Sequence, residues 1–239
     1  MSPVADPTLA LERRLLGRQD GLIIGCDEVG RGALAGPVAV GICVLEVRRS
    51  TRVPKGLRDS KMLSEARRET LAPIAGSWGV AHAVGYASAE EIDRIGITAC
   101  LGLAGARALA EIVLAGIDVS AVPVILDGHF DWLSRAVPYP LTVHTQVKGD
   151  RDCASVAAAS VISKVARDRM MVEHDAVHPA YGWARNKGYG SEEHRTAILS
   201  LGPTDLHRHS WLSGITAGET AVMLDGFEEA GVSDGESAA

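Results

Sequence analysis

The sequence predicts an α/β domain in which a mixed sheet is flanked by helices and followed by a C-terminal helical region. Short apolar segments of strand length alternate along the chain with longer segments of helical character. The apolar residues are mainly Ala, Val, Leu and Ile, with only 4% aromatic residues, which suits elements packed in layers. No repeat, linker or compositional break divides the 239 residues, so we expect one large domain.

The N-terminal part predicts one helix and two strands. Residues 8–17 carry spaced leucines among charged residues, which is typical of a surface helix. Residues 22–25 and 38–47 are continuously apolar and are separated by the polar, glycine-rich segment 27–32. We therefore expect two neighbouring strands joined by a Gly-rich connection.

Capping residues indicate where the next helices begin. Ser64 precedes a helical pattern with Glu65 in its first turn, where the helix dipole favours a negative charge. Ser88 and Glu91 have the spacing of a capping box. The elements predicted here are a helix over residues 64–75, a strand over 80–87, a short helix from Ser88 and a longer helix over 97–114.

The second half predicts two short strands and the longest helix of the chain. The elements are strands over residues 122–126 and 141–147, an Ala-rich helix over 152–177 that ends before Pro179, and a helix that begins near Ser191. From residue 228 the composition turns acidic and small, which predicts disorder. We expect an N-terminal extension over residues 1–20, a single main domain over 21–227 that includes the C-terminal helical region, and a disordered tail over 228–239.

Charge and cysteine content restrict the class of protein. A formal charge of −6 argues against holding nucleic acid by bulk positive charge, so a nucleic-acid enzyme would have to localise its basic residues. The four cysteines are far apart and lack metal-ligand or disulfide spacing, which indicates reduced thiols. Without a secretory signal or an apolar run near 18 residues, the chain is expected to be soluble and cytoplasmic, with no membrane partner.

Four carboxylates follow predicted strands. Asp27 and Glu28 adjoin the first strand, Asp127 ends a later one, and Asp150 follows the last. Ligands of open α/β sheets bind in the crevice beyond the strand ends, so these acids suggest one site. Continued strand geometry would send Asp27 and Glu28 to opposite faces, whereas a turn at the following glycines would bring them into one cavity.

Carboxylates that share a site repel one another unless a cation compensates. Oxygen-only ligands favour Mg²⁺ or Mn²⁺ over zinc, and two such ions can promote hydrolysis of a phosphodiester. The alternative is that each acid merely caps a helix or ends a strand, which is the commoner role for a single Asp. Three strand ends that each deliver an acid favour the metal site.

The chain around the first two acids reads Gly25-Cys26-Asp27-Glu28-Val29-Gly30-Arg31-Gly32, followed by Leu34-Ala35-Gly36-Pro37-Val38. This sequence resembles the signature of bacterial ribonuclease HII, the type 2 ribonuclease H. Further blocks in the family's order, from about residue 21 to about residue 212, are Asp59-Ser60-Lys61-Met62-Leu63-Ser64, Leu126-Asp127-Gly128, Lys148-Gly149-Asp150 and the run from Ala157 to Asp168. The resemblance implies a ribonuclease H-like mixed sheet.

The resemblance also implies an activity and a site. Asp27, Glu28, Asp127 and Asp150 would be the catalytic metal ligands for Mn²⁺ or Mg²⁺, with two ions during catalysis. The substrates would be RNA/DNA hybrids and duplex DNA that contains a ribonucleotide, nicked on the 5′ side to leave 3′-hydroxyl and 5′-phosphate ends. The biological role would be removal of misincorporated ribonucleotides.

The substrate-binding residues are also assigned by resemblance. Gly30, Arg31 and Gly32 would contact the 2′-hydroxyl and phosphates at the RNA to DNA junction, where glycines allow close approach and Arg is a forked phosphate donor. Tyr189 would pack on the junction nucleotide. Gly190, where the family commonly has alanine, and His209-Ser210-Trp211, in place of Arg-Ser-Phe, put only local contacts in doubt.

Basic residues near these motifs are candidates for the localised positive surface. For each one alone, a solvated surface charge is the alternative, although Lys164 and Arg167 are spaced to share a helix face. His129 is left out because a Mg²⁺ site does not need imidazole. Asp152 is interpreted as a helix cap and Asp168 as a helix-surface charge. The candidate cations are Lys61, Lys148, Lys164, Arg167, Arg185 and Lys187.

Two other functions remain open at this point. One is another metal nuclease of similar fold, such as a junction resolvase, and the other is a binding module that has lost its chemistry. Intact acids at all four positions argue against the second. No oligomerisation surface or obligate protein partner is evident from the sequence, so a monomer is expected by default.

Overall fold

A computed structural model describes residues 6–48 and 51–215 of the chain. Its strands are β1 (Gly21–Val29), β2 (Val38–Val47), β3 (Ala81–Ala87), β4 (Val124–Asp127) and β5 (Val143–Gln146). Its α-helices are α1 (Ala10–Leu16), α2 (Glu65–Trp78), α3 (Ala89–Ile95), α4 (Ile97–Leu114), α5 (Gly149–Asp152), α6 (Ala154–Val177), α7 (Trp183–Asn186) and α8 (Glu192–Leu201).

The strands form one sheet in the order β3-β2-β1-β4-β5. Strand β1 pairs antiparallel with β2 and parallel with β4, while β3 and β5 are the edges. Helix α4 packs against β2 and β3, and α6 packs against β1 and β2, so each helix covers a different apolar face. The predicted mixed sheet with flanking helices is confirmed.

Strand β1 and helix α6 approach so closely that no side chain fits between them at Gly25. A Cβ on Gly25 would lie 2.1 Å from the Ser155 carbonyl carbon, a distance that real structures do not tolerate. Helix α6 can come this near because its first half is lined with Ala and Ser. The close packing holds the α6 backbone beside the end of β1, where Asp27 lies.

The structure corrects the predicted end of the first strand. Strand β1 continues to Val29 because it remains paired with β2, Val29 opposite Ala39, beyond the predicted end at residue 25. Asp27 and Glu28 therefore belong to the strand. The turn comes later, at Gly30, whose φ of 79° favours glycine.

A second correction concerns Asp150 and Asp152. The last strand ends at Gln146, and Asp150 lies in the short helix α5 after Lys148, which has a left-handed φ of 60°. The predicted helix over residues 152–177 is broken at Cys153, which is the N-cap residue of α6. Asp152 is therefore not the cap of the long helix; it pairs with Arg151 at 2.7 Å.

The capping predictions hold. Ser64 accepts a hydrogen bond from the Arg67 amide, and Ser191 caps α8 in the same way. Ser88 and Glu91 form the predicted capping box, with bonds of 3.1 and 2.9 Å. These starts depend on local hydrogen bonds and can be read from short sequences.

The prediction that no apolar run approaches the length of a membrane span is wrong for helix α4. Its 18 residues have a mean hydropathy of 1.7, which meets the length and apolarity of a spanning helix, and it is the one such helix within residues 6–48 and 51–215. Its buried residues, including Leu101, Ala104 and Leu109, pack in the core against the sheet. A helix that covers a buried face of a sheet can be as long and as apolar as a membrane-spanning helix.

The N-terminal helix is attached to the domain through a buried acid. The Glu12 carboxylate accepts hydrogen bonds from the Ser155 amide at 2.9 Å and from the Ser155 hydroxyl at 2.8 Å, at the start of α6. Burial raises the pKa of Glu12. The helix is therefore not a purely surface element. The tail predicted to be disordered lies outside the described residues.

The C-terminal helical region has its own small core. Tyr181 and Trp183 stack with ring centroids 5.2 Å apart, and the rings of His194 and His207 lie against them. Burial lowers the pKa of His194, and burial together with the neighbouring His194 lowers the pKa of His207 to about 4. Both rings are completely buried.

We expect His207 to make the protein acid-labile. Its pKa falls from 6.5 in the unfolded chain to about 4, so its contribution is complete above pH 6.5 and is lost as the pH falls towards 4. The loss should be about 1–3 kcal/mol. In urea unfolding without divalent ions, the stability gap between the wild type and His207→Gln should shrink between pH 7 and pH 4. A gap that stays constant would contradict the assignment, and His144→Gln, outside the cluster, is the control.

Candidate active site

Parallel pairing brings two of the acids side by side. Cys26 of β1 is paired with Leu126 of β4, so Asp27 and Asp127 follow at the same edge of the sheet. Asp127 is in turn paired with Gln146 of β5, and Asp150 follows four residues later. The three segments that were predicted to converge therefore do converge, although Asp150 arrives from a helix.

Asp27 and Glu28 point to opposite faces of the sheet, as unbroken strand geometry requires. Asp27 is buried on the α6 side, where the Ser160 hydroxyl hydrogen-bonds it. Glu28 also lines a small cavity of about 200 Å³ on the α4 side, with Asp127 and Thr98. Both acids nevertheless line a larger cavity of about 460 Å³ at the strand ends, so no turn between them is needed.

The other three carboxylates are also held by donors from the protein. Oδ1 of Asp127 accepts a hydrogen bond of 2.7 Å from the Gly149 amide, which ties β4 to α5. Oδ2 of Asp150 lies 3.2 Å from Nζ of Lys61, and Oε1 of Glu28 lies 3.4 Å from Nη1 of Arg31. These contacts orient the acids around the end of the sheet.

Burial and mutual repulsion make the ionised acids costly. Burial, and then the charge of Glu28, raise the pKa of Asp27 well above its usual value. Burial and the charge of Asp127 raise the pKa of Glu28, and burial and the charge of Asp150 raise that of Asp127. Burial lowers the pKa of Lys61, but the charges of Asp150 and Asp27 outweigh it and raise that pKa. The site thus attracts positive charge.

The donor set fits a hard divalent cation in its chemistry. The four acids offer only oxygen ligands, and their mutual repulsion is what a cation would relieve. Within residues 6–48 and 51–215, however, no three acidic, histidine or cysteine side chains are gathered tightly enough to enclose an ion as they stand. Rotation of the carboxylates away from their present donors, such as Lys61 and Arg31, would be part of binding.

The loop of Gly30, Arg31 and Gly32 borders the same cavity. Two buried arginines contact this loop: Arg208 binds it by hydrogen bonds, and Arg167 packs against Gly30. Arg208 donates hydrogen bonds to the carbonyls of Gly30 at 2.6 Å and of Arg31 at 2.8 Å. A Cβ on Gly30 would lie 2.0 Å from Nε of Arg167, so this position requires glycine. Sequence reasoning missed both roles, because a buried arginine looks like a surface arginine in sequence.

Tyr189 lines the same cavity as Asp27 and Glu28 and contacts the loop. Its hydroxyl oxygen accepts a hydrogen bond of 3.2 Å from the Gly30 amide. Nζ of Lys164 and Cζ of Arg167 each lie 5.5 Å from the centre of its ring. The predicted junction loop and the predicted tyrosine are therefore in direct contact.

The cations predicted at the site separate into two groups. Lys61 and Lys164 line the main cavity. Lys148 is exposed and is not among the residues that line it, and Arg185 is exposed and paired with Glu193.

Three surface predictions are wrong. Arg167 is completely buried and donates to the carbonyls of three other residues, Ala35, Pro37 and Lys187. Lys187 is itself only 7% exposed and pairs with Glu65. Asp168 is buried against Lys164 and Arg68. Arg167 and Asp168 lie on α6, which is buried along most of its length, whereas Lys187 is the C-cap residue of α7.

Solved structures share this fold. A ribonuclease H2 from Pyrococcus horikoshii matches with a TM-score of 0.62 at 22% identity, over 83% of this chain and 98% of that one. A ribonuclease HII from Archaeoglobus fulgidus, solved in complex with PCNA, matches with a TM-score of 0.62 at 26% identity, over 80% and 95% of the two chains. The fold is therefore that of the ribonuclease H class.

Sequence comparisons narrow this class. The family model described as Ribonuclease HII matches residues 24–213. A ribonuclease HII from Streptomyces avermitilis is 46% identical over 210 residues, which cover 87% of this chain and 85% of the relative. One from Thermus thermophilus is 44% identical over 190 residues, covering 78% and 84%. The chain belongs to the ribonuclease HII family and is an endoribonuclease of RNA/DNA hybrids, as the resemblance predicted.

Proposed function

We propose that this enzyme also nicks duplex DNA on the 5′ side of a single embedded ribonucleotide, leaving 3′-hydroxyl and 5′-phosphate ends. The observation that carries the proposal is the contact between the Gly30 loop and Tyr189 at the rim of the cavity that Asp27 and Glu28 line. A reader of the 2′-hydroxyl placed next to the acids couples recognition of one ribonucleotide to cleavage beside it.

The acids proposed as metal ligands and catalytic residues are Asp27, Glu28, Asp127 and Asp150. Together they would hold divalent ions, Mn²⁺ or Mg²⁺, and we propose two during catalysis. Such ions, when bound, supply Lewis-acid activation of water and stabilisation of the leaving oxygen. A structurally similar protein, Bst ribonuclease HIII, has been solved in complex with Mn²⁺; it is 22% identical, with a TM-score of 0.64, over 87% of this chain and 71% of that one.

The neighbouring side chains would bind and orient the substrate. Gly30 and Gly32 allow the backbone to approach the sugar, and Arg31, which is exposed, can bind a phosphate with its forked guanidinium. The Tyr189 ring packs on the nucleotide at the junction. Lys61, whose side chain is 73% exposed, and Lys164 supply local positive charge at the cavity, and Lys148 supplies it further out.

The biological role we propose is removal of misincorporated ribonucleotides from DNA in the cytoplasm. Four buried cysteines without disulfides are consistent with a reducing compartment. We further propose that residues 21–227 form the catalytic domain, that residues 1–20 and 228–239 extend it, and that the protein acts as a monomer without an obligate protein partner.

The deciding experiment is a cleavage assay on a labelled DNA duplex with one ribonucleotide, in Mg²⁺ and separately in Mn²⁺. We expect one nick on the 5′ side of the ribonucleotide, and a 3′-hydroxyl end that a polymerase can extend. An all-DNA duplex and an all-DNA four-way junction are the controls and should remain intact. Cleavage of the hybrid without cleavage of the single-ribonucleotide duplex would refute the proposal while leaving the family activity in place.

A further inference from the structure

A chain of hydrogen bonds runs through the C-terminal core from Thr204 to Tyr189. The Thr204 amide donates to Nδ1 of His207 at 2.9 Å, and the Nε2 atoms of His207 and His194 lie 3.1 Å apart. Nδ1 of His194 lies 2.9 Å from the Tyr189 carbonyl oxygen. The indole N–H of Trp183 also donates to Nε2 of His194, at 3.0 Å.

Two groups that can only donate determine where the protons lie. Because the Thr204 amide donates to Nδ1 of His207, the proton of a neutral His207 is on Nε2. Because the Trp183 indole donates to Nε2 of His194, the proton of His194 is on Nδ1. His207 therefore donates to Nε2 of His194, whose single lone pair it shares with the Trp183 indole in a three-centre hydrogen bond, and His194 donates to the carbonyl of Tyr189. A second proton on either ring would set two donors face to face.

This chain of hydrogen bonds ends at Tyr189, which lines the candidate site. The Tyr189 carbonyl accepts from His194 and, at 2.8 Å, from the Ser191 amide. His194 and His207 are thirteen positions apart in the sequence. This chain of hydrogen bonds, called the relay below, therefore also joins α8 to the segment that carries Arg208. At its other end, the Tyr189 hydroxyl accepts from the Gly30 amide. The backbone and the ring of Tyr189 are thus fixed from opposite sides.

We propose that His194, oriented by His207, is a positioning residue that holds Tyr189 against the Gly30 loop for substrate binding. The role of Tyr189 itself rests on the proposed function. The relay requires both histidines to be neutral and in opposite tautomers. It links the core of the C-terminal region to the rim of the catalytic cavity through the Tyr189 backbone.

The tautomers can be tested in the wild-type protein without any activity measurement. Nitrogen-15 NMR of the imidazole rings at pH 7 should show the Nδ1–H tautomer for His194 and the Nε2–H tautomer for His207. Assignment uses the loss of one ring's signals in each single variant. The reverse tautomers, or a doubly protonated ring at either position, would overturn the relay. This result does not depend on which substrate the enzyme cleaves.

Two substitutions at His194 separate positioning from packing. In His194→Asn the amide nitrogen can replace Nδ1–H and keep the bond to the Tyr189 carbonyl, whereas in His194→Gln the amide oxygen can replace Nε2 but that bond is lost. We expect His194→Gln to raise the KM for an RNA/DNA hybrid about tenfold with little change in kcat. His194→Asn should restore most of the loss. His178 lies in the same aromatic cluster but takes no part in the relay, so His178→Gln should have the KM and kcat of the wild type.

The outcomes distinguish this inference from the proposed function. Both His194 variants remove a hydrogen bond from the buried core, so both should lower the melting temperature, and KM is measured below both transitions. Equal KM values in the two variants would mean that His194 serves only packing, which would overturn the inference. If Tyr189→Ala leaves KM unchanged, the recognition role proposed for Tyr189 is wrong, and the tautomer spectrum still decides whether the relay exists.

Discussion

Asp27→Asn is expected to lower kcat for hybrid cleavage by about a thousandfold or more and, at the same time, to stabilise the fold. The loss follows from removing a proposed metal ligand, whose ion would supply several kcal/mol of transition-state stabilisation. The gain follows because Asp27 is only 3% exposed and lies among other acids that raise its pKa. At pH 7 folding must either bury this charge or take up a proton, and both cost free energy, so a neutral amide should add about 1–3 kcal/mol.

The pH dependence gives this prediction a second check. A carboxyl whose pKa is raised by folding stabilises the protein below its unfolded pKa, near 4, and this contribution is lost as the pH rises through the folded value. In urea unfolding without divalent ions, the free energy of unfolding of Asp27→Asn should therefore exceed that of the wild type at pH 7, and the difference should disappear below about pH 4. Cleavage is measured under Mg²⁺ and Mn²⁺.

Asp152→Asn is the matched control for this experiment. Asp152 lies in the same short helix as Asp150, but its carboxylate pairs with Arg151 at the surface. We expect wild-type cleavage from this variant. Full activity of Asp27→Asn would show that Asp27 is not a metal ligand, and a loss of stability at pH 7 would show that its charge is compensated within the fold.

Arg208→Met is expected to have the largest effect on stability. The guanidinium is completely buried and donates to the carbonyls of Gly30, Arg31 and Gly36. Burial and the nearby Arg167 lower its pKa to about 9, which still leaves it charged at neutral pH. Methionine preserves much of the aliphatic length but removes all of these hydrogen bonds, and the Gly30 carbonyl would keep only the bond from the Ala33 amide. We expect a loss of about 3–5 kcal/mol in the free energy of unfolding.

Chemical denaturation measures this loss. The folded fraction of the variant should also show a raised KM for the hybrid, because the loop of Gly30, Arg31 and Gly32 no longer has the hydrogen bonds from Arg208. Arg185→Met is the control, since Arg185 is exposed and pairs only at the surface with Glu193. That variant should lose less than about 1 kcal/mol. A comparably small loss in Arg208→Met would contradict the anchoring role.

The sequence was informative wherever structure depends on neighbours in the chain. Ser64, Ser88 and Ser191 mark their helix starts correctly, because a cap is made by residues three positions apart. The apolar segments give the strands, and the order of the sheet brings together the strand ends at which Asp27 and Asp127 lie, with Asp150 four residues beyond β5. The candidate acids could therefore be named before any fold was known.

Tertiary structure decided which residues face the cavity and which face the core. Lys164 and Arg167 are three residues apart on α6, yet only the first reaches the cavity, while the second is enclosed by carbonyls from residues 35, 37 and 187. Likewise, β1 continues through Asp27 and Glu28 because β2 pairs with it to the end. Burial of a charge and extension of a strand depend on partners distant in the chain, and for that physical reason a local sequence pattern cannot specify them.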